Sequence, residues 1–305
     1  MPGPLGESKN FHITYQQSLR HISLRLFEEQ IIDHPRFFEI LIRLQKIYKG
    51  KHEAALKAGH YEFLKHQSMA DVIEKLQNNK VRQFTFTIIE GSSNQMIEHA
   101  VNHHDGFKGN KVEINPDSFL LPDSWFVEYG SDRDQFIERV QKKGQQVLYD
   151  LWNNRSPYNT LKTPYEALIL ASIVERESAH NDEMKKIAGV FFNRLKKNMR
   201  LQSDPTVIYA LTNGLYALQK KLTRQHLKTD SPFNTYRYHG LPPFHIANPS
   251  LAALQAVMNP LQSDDLYFVA DGQGRHFFAK TLKEHNKNVR KYRNIIKNQK
   301  NKTKP

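Results

Sequence analysis

The sequence predicts an α+β protein, a small N-terminal α+β domain followed by a larger mixed α+β domain. Three observations predict it. Alternating and amphipathic segments between Phe11 and Ile89 follow the order strand, helix, helix, strand, helix, strand. Gly91-Ser92-Ser93-Asn94 then breaks the pattern and marks a boundary. Beyond it helical periodicity dominates until two short β-prone runs near the C-terminus.

The elements follow in order. Phe11–Gln17 alternates as a strand does, and Ser18 precedes a helical run through Leu19, Ile22 and Leu26. Asp33-His34-Pro35 caps a second helix, with Phe38, Leu41 and Ile42 at helical spacing and Leu44 nearby. Gly59–Leu64 reads as a turn into a strand, Ser68–Leu76 as a short helix and Gln83–Ile89 as a strand rich in Thr, Phe and Ile. A helical stretch, loops at Asn115-Pro116 and Leu121-Pro122-Asp123, and a long polar helix from Arg133 to about Trp152 come next. Thr163-Pro164 opens a helix running to Ser178, and Asn181 or Asp182 caps the following one, whose stripe is Ile187, Val190, Phe191 and Leu195. Asp204-Pro205 starts another, Asp204 as cap and Pro205 as first helical residue. Asp265–Ala270 and His276–Lys280 read as a hairpin joined by Asp271-Gly272-Gln273-Gly274-Arg275.

Composition narrows the function. A chain of 305 residues accommodates two domains. It has no cysteine, which excludes disulfides, thiol nucleophiles and thiolate zinc sites. No apolar run approaches the ~20 residues needed to cross a bilayer, and no signal-peptide pattern opens the chain. Met1-Pro-Gly-Pro-Leu-Gly6 reads as the start of a tag-like or disordered tail over residues 1–9. Net charge is +13, and residues 286–305 form a basic tail with eight Lys or Arg and no acid. Such a tail either solvates the chain end or meets an anionic partner: nucleic acid, acidic lipid or an anionic polymer. Zinc-finger spacing, an RNP-type aromatic motif and a helix-turn-helix are all missing, so nucleic acid is not expected. The fifteen histidines show no close metal-ligand spacing, and no metal or cofactor is expected.

Chemistry concentrates in Ala171-Ser-Ile-Val-Glu-Arg-Glu-Ser178. At about 100° per residue Glu175 and Glu177 point roughly 200° apart, so they do not work as a pair on one face. Val174, Ile173 and Leu170 stack under Glu177; the smaller Ser172 and Ala171, with Leu168, stack under Glu175. Glu177 therefore lies on the drier stripe, where desolvation keeps a carboxyl protonated as a general acid requires, and Glu175 is expected to face solvent or pair with a cation. The plain alternative is that Glu177 marks the wet margin of the stripe and pairs with a neighbouring cation.

That block, then Ala188-Gly-Val-Phe-Phe-Asn-Arg-Leu195 and Leu201-Gln-Ser-Asp-Pro-Thr-Val-Ile-Tyr209, resembles the signature blocks of the endolytic murein transglycosylase (YceG-like) family. Pro232–Tyr236, Gly240–Pro243, Ile246–Pro249, Tyr267–Ala270 and Lys280–Asn286 agree with it, and Lys57–Tyr61 and Ile89–Gly91 match more loosely. Departures are Phe244-His245 where the family usually has Gly-Pro, Ser178 in place of Thr, and an Asp117-Ser118-Phe119 block without the acidic-glycine pair.

The resemblance implies a LysM-like domain over residues 10–90 and a lytic transglycosylase domain over 91–285. It implies cleavage of the MurNAc-β-1,4-GlcNAc bond within glycan strands of peptidoglycan, with Glu177 as general acid and then base and a 1,6-anhydroMurNAc product. Asn193, Gln202, Asp204, Thr206, Tyr209 and Tyr236 are the polar groups expected around the sugar. Asp204 doubles as a helix cap, Asn193 as a partner for loop backbone, and Tyr209 and Tyr236 as core residues with surface hydroxyls. Family members are held at the outer face of the inner membrane by an N-terminal helix that this sequence lacks, and meet cell-wall synthases. A non-catalytic wall-binding scaffold and a hydrolytic muramidase are the rival readings.

Overall fold

Alternation of apolar and polar side chains sets the first strand pair. The computed structural model of the protein describes residues 2–14, 17–49, 55–78, 81–178, 180–215 and 222–302. In it β1 (Lys9–Ile13) runs antiparallel to β2 (Gly59–Phe63), with Phe11 opposite Tyr61. Phe11, Ile13, Tyr61 and Phe63 share one face, as period-two positions must, and all are buried. Over that face lie α1 (Leu19–Glu28) and α2 (Pro35–Lys49), through Ile22 and Leu26 on one and Phe38 and Ile42 on the other. Ser18 Oγ accepts the His21 N–H at 3.2 Å to start α1, and Pro35 starts α2, where a missing N–H costs nothing. Next, α3 (Met69–Gln77) begins on a capping box between Ser68 and Asp71.

Two expectations change here. The strand predicted over Phe11–Gln17 is β1, which starts at Lys9 and stops at Ile13, because the Thr14 N–H turns to the Gln17 side chain at 3.3 Å. Residues 15 and 16 lie outside the described residues. The segment read as a tag-like or disordered tail is built into the core: Leu5 is buried, its carbonyl accepts the His66 N–H at 3.0 Å, and β1 begins within it.

Further along are β3 (Gln83–Ile88), α4 (Asn94–His103), β4 (Phe107–Lys108), β5 (Asp123–Glu128), β6 (Ser131–Asp132) and α5 (Arg133–Asn153). β3 pairs with β5, and β4 runs parallel to β6. The chain forms two compact units: Met1–Phe86 with His104–Asn110 and Trp125–Phe136, and Thr87–His103 with Lys111–Ser124 and Ile137–Pro305. They interleave along the chain instead of dividing once at residue 90. Long-range strand pairing of this kind leaves no local mark in sequence. The Gly91–Asn94 break itself belongs to the second unit, where Asn248 Nδ2 donates to Ser92 O at 3.1 Å and to Asn94 Oδ1 at 2.8 Å.

The second unit is built around α6 (Pro164–Glu177). Every residue from Ala167 to Val174 is buried, because α7 (Asn181–Lys196), α8 (Asp204–Thr212) and α9 (Leu251–Met258) all pack on it. A helix apolar all round is the pattern such a central position demands. Thr163 Oγ1 accepts the Glu166 N–H at 3.1 Å and fixes its start. The caps expected for its neighbours differ. His180, not Asn181 or Asp182, occupies the cap position of α7, and Ser203 that of α8, with no side-chain cap bond at either. Asp204 is released from capping and bonds elsewhere. The hairpin of β7 (Tyr267–Ala270) and β8 (His276–Ala279) forms as expected, its loop held by the Asp271 carboxylate and by Gly272 and Gly274 at positive φ. The basic segment is not a tail through its described part: it continues α10 (Leu282–Lys302), which lies on the hairpin.

Candidate active site

Glu177 is the last residue of α6, and the helix ends there because Ser178 takes extended backbone while its N–H still reaches Val174 O at 3.3 Å. The side chain enters a cleft of 490 Å³ in the second unit. Arg194 of α7, the Leu201–Asp204 loop, Tyr236, the hairpin through Tyr267 and His276, and α10 through Leu282, His285 and Val289 supply its walls.

Burial pushes the Glu177 carboxyl up to about 7, and the neighbouring Asp204 charge adds to the rise, against a hydrogen bond from Ser203 and the Arg194 charge. The C-terminal end of a helix dipole also disfavours a carboxylate. Ser203 Oγ donates to Glu177 Oε1 at 2.5 Å. Ser203 is itself fixed: its N–H donates to Thr235 Oγ1 at 3.0 Å and its carbonyl accepts Thr206 Oγ1 at 2.7 Å. Arg194, 7% exposed, spans the floor with Nε on Leu266 O at 2.6 Å and Nη1 on Leu201 O at 2.7 Å. Burial lowers its pKa, yet these carbonyls and the Tyr267 ring 5.3 Å away hold the cation in place.

Asp204 and Tyr236 form a pair, Tyr236 Oη donating to Asp204 Oδ1 at 2.6 Å, and burial followed by this bond raises the phenol pKa. Gln202 sits at φ 51°, a left-handed conformation for a non-glycine residue, and its N–H is tied to Thr235 O at 3.1 Å. Such strain is stored where surrounding contacts over-determine the backbone. His285 stacks on Tyr267 at 5.2 Å; burial and then the Arg194 charge lower its pKa.

Glu177, Gln202, Asp204 and Tyr236 therefore share one cleft. The other three expected sugar contacts do not join them. Asn193 Nδ2 donates to Ser263 O at 2.7 Å and Asp265 O at 2.9 Å, holding the approach to the hairpin. Thr206 is fully buried in the Ser203–Thr235 network. Tyr209 lines a separate cavity of 90 Å³ with Ser93, Arg176 and Ile208. Glu175, expected to face solvent or a cation, instead accepts from Ser250 N at 2.9 Å and Ser250 Oγ at 2.5 Å, and so ties α6 to the cap of α9. Ser203, Arg194, Tyr267, His276 and His285 went unnoticed in the sequence. For Leu282, His285 and Val289, the three- and four-residue spacing was the available signal.

The first unit has a cleft of its own, 550 Å³, at the end of β1 and the start of β2. His12 and His60 stack there at 3.9 Å, Tyr129 meets His60 edge-on at 5.4 Å, and Lys108, Glu128 and Asp132 complete the polar lining. Burial lowers the pKa of both histidines.

The YceG-like family model matches residues 11–291. An endolytic murein transglycosylase of Bacillus subtilis (strain 168) is 29% identical over 314 residues, covering 93% of this chain and 84% of that protein. One from Streptococcus pneumoniae (strain ATCC BAA-255 / R6) is 30% identical over 292 residues, and this chain spans 52% of its length. Among solved structures, a crystal structure of a yceG-like protein from Listeria monocytogenes shares 28% identity and a TM-score of 0.56, over 92% of this chain and 98% of that one.

Proposed function

Because the chain belongs to the YceG-like family, we propose that it is an endolytic murein transglycosylase, a lyase that cuts the β-1,4 bond between N-acetylmuramic acid and N-acetylglucosamine inside a peptidoglycan strand. The observation that carries the mechanism is the Glu177 carboxyl, pushed up to about 7 by burial in a walled cleft. Protonated Glu177 donates to the glycosidic oxygen as its bond to the anomeric carbon breaks. The muramic acid 6-hydroxyl then closes on that carbon, and Glu177, now carboxylate, takes its proton. One C–O bond breaks, one forms, and no water is consumed. A second carboxylate to activate water is dispensable because the substrate supplies the nucleophile at high effective concentration. Asp204, oriented by Tyr236, faces the positive charge that develops at the anomeric carbon, and the Gln202 amide offers both a donor and an acceptor to an acetamido group.

Mass spectrometry of purified peptidoglycan digested by the parent, Glu177→Gln and Glu175→Gln tests this. Parent and Glu175→Gln are expected to yield 1,6-anhydromuramyl ends, and Glu177→Gln none. Reducing ends would make the protein a hydrolytic muramidase; strand binding without cleavage by the parent would leave a scaffold.

The first unit supports the finer reading of a LysM-like glycan-binding domain through its aromatic and polar cleft. In the full chain, Tyr129→Ala and Asp132→Asn, each combined with Glu177→Gln, are expected to reduce retention on insoluble peptidoglycan; unchanged retention would remove the cleft from glycan binding. The relatives' wall substrate puts the work outside the cytoplasm. We place it at the outer face of the inner membrane, beside cell-wall synthases, although no helix among the described residues is long and apolar enough to cross a bilayer. Fractionation of cells making the native protein checks this, and recovery in the cytosol would overturn it.

A further inference from the structure

The cleft wall supplied by α10 carries charge that the fold does not use. Thr281 Oγ1 accepts the Glu284 N–H at 3.2 Å, and Glu284 Oε2 accepts the Lys280 and Thr281 N–H groups at 3.1 and 3.2 Å. Glu284, the one acid of the helix, is thus occupied by its cap. One side of α10 lies on the hairpin: Asn288 Nδ2 donates to Phe278 O at 3.3 Å, and the Lys291 ammonium sits 4.2 Å over the Phe277 ring. Leu282, His285 and Val289 line the cleft.

Rotation by about 100° per residue turns Arg293 about 40°, Lys297 about 80° and Arg290 about 100° from the direction of Val289, away from the side that Asn288 lays on the hairpin. All three are exposed, and no carboxylate among the described residues pairs with them. A row of unpaired cations beside a cleft concentrates anions there.

We propose that this flank of α10 binds the carboxylates of acidic peptide branches on the glycan strand lying in the cleft. The inference rests on the reading of the cleft as a peptidoglycan site and adds to it which part of the polymer α10 recognises. Reach agrees. From His285 at the cleft to Lys297 the helix rises about 18 Å at 1.5 Å per residue. A branch of four or five residues, extended, spans about 13 to 18 Å. Carboxylates along such a branch therefore pass Arg290, Arg293 and Lys297 in turn.

Strand binding is measured in the Glu177→Gln background, with and without Arg290→Gln/Arg293→Gln/Lys297→Gln, on peptide-bearing strands and on the same strands stripped by an amidase. From the usual strength of exposed charge pairs, the triple change is expected to weaken binding to peptide-bearing strands about five- to tenfold, to leave stripped strands unaffected, and to lose its effect in high salt. Equal loss on both substrates, or no loss, overturns the proposal. So does reduced binding to vesicles of anionic lipid with strand binding unchanged, which would assign the flank to a bilayer. Separately, absence of anhydro products from peptide-bearing strands treated with the parent would defeat the reading of the reaction while the binding comparison still stands.

Discussion

Ser203 Oγ donates to Glu177 Oε1 at 2.5 Å, and it is the hydrogen bond that restrains the rise in the Glu177 pKa caused by burial. A general acid must be protonated in the free enzyme, so kcat/KM is predicted to fall about tenfold per pH unit above about 7. Ser203→Ala removes the bond, and the alkaline limb should move to higher pH while the maximal rate drops. A pH–rate profile of both proteins decides it; an unmoved limb would mean that Glu177 is not the titrating acid.

The same shift makes a stability prediction. The folded-state value is about 7 against an ordinary 4.5, so between these values the native state binds the extra proton and stability falls as pH rises. Below pH 4.5 both states are protonated and nothing is lost; above pH 7 the full cost applies, of order 3 kcal/mol at ~1.4 kcal/mol per unit. Glu177→Gln abolishes this cost. Its melting temperature should exceed the parent's by several degrees at pH 8 and equal it at pH 4.5, as calorimetry would show.

His245 runs the opposite way. It is 2% exposed, and burial pushes its pKa from 6.5 down to about 4. As pH drops from 6.5 to 4 only the unfolded chain gains the proton, so stability is lost on acidification, again of order 3 kcal/mol. Above pH 6.5 the residue is neutral in both states. His245→Leu should therefore lose less stability than the parent between pH 7 and pH 4; parallel losses in urea titrations at the two pH values would exclude the residue.

Glu175 joins α6 to α9 by accepting from both N–H and Oγ of Ser250, while Ser250 Oγ accepts the Ala253 N–H at 3.1 Å. Ser250→Ala is predicted to cost about 1 kcal/mol or slightly more, the usual cost of a lost cap plus a bond to a charged partner. Combined with Glu175→Gln it should cost less than the sum, since both remove the same contact. Strict additivity in a double-mutant cycle would refute the coupling.

The sequence made legible what local periodicity and capping encode. Thr163-Pro164, the unbroken apolar run Ala167–Val174 and the drier flank of Glu177 located α6 and its terminal carboxyl. The Asp271–Arg275 loop located the hairpin. What escaped depends on which way a side chain leaves a loop, or on partners distant in the chain. Asp204 before Pro205 looked like a cap, but Tyr236, 32 residues on, takes its carboxylate. Thr206 is within hydrogen-bond reach of Thr235, not of solvent, and Asn193 turns to the approach to β7. Leu5 fills a core that only the fold of the first unit creates. Residues 286–305 read as a basic tail because their charge masks the helical spacing that runs on from Leu282 and His285 to Val289.

His285 gives the last prediction. Its Nδ1 is buried without a hydrogen-bond partner while the residue lines the cleft. A bare lone pair costs less to bury than a bare N–H, so the proton belongs on Nε2. Burial and the Arg194 charge keep the ring neutral at pH 7, which makes it a directed donor and not a cation. His285→Ala is expected to raise KM about tenfold, the usual loss of one directed hydrogen bond, with a smaller effect on kcat. Gln can place an amide N–H near the Nε2 position and should restore much of the loss, whereas Asn, whose shorter amide falls near Nδ1, should not. If Gln and Asn behave alike, the ring serves packing against Tyr267 and not donation to the sugar.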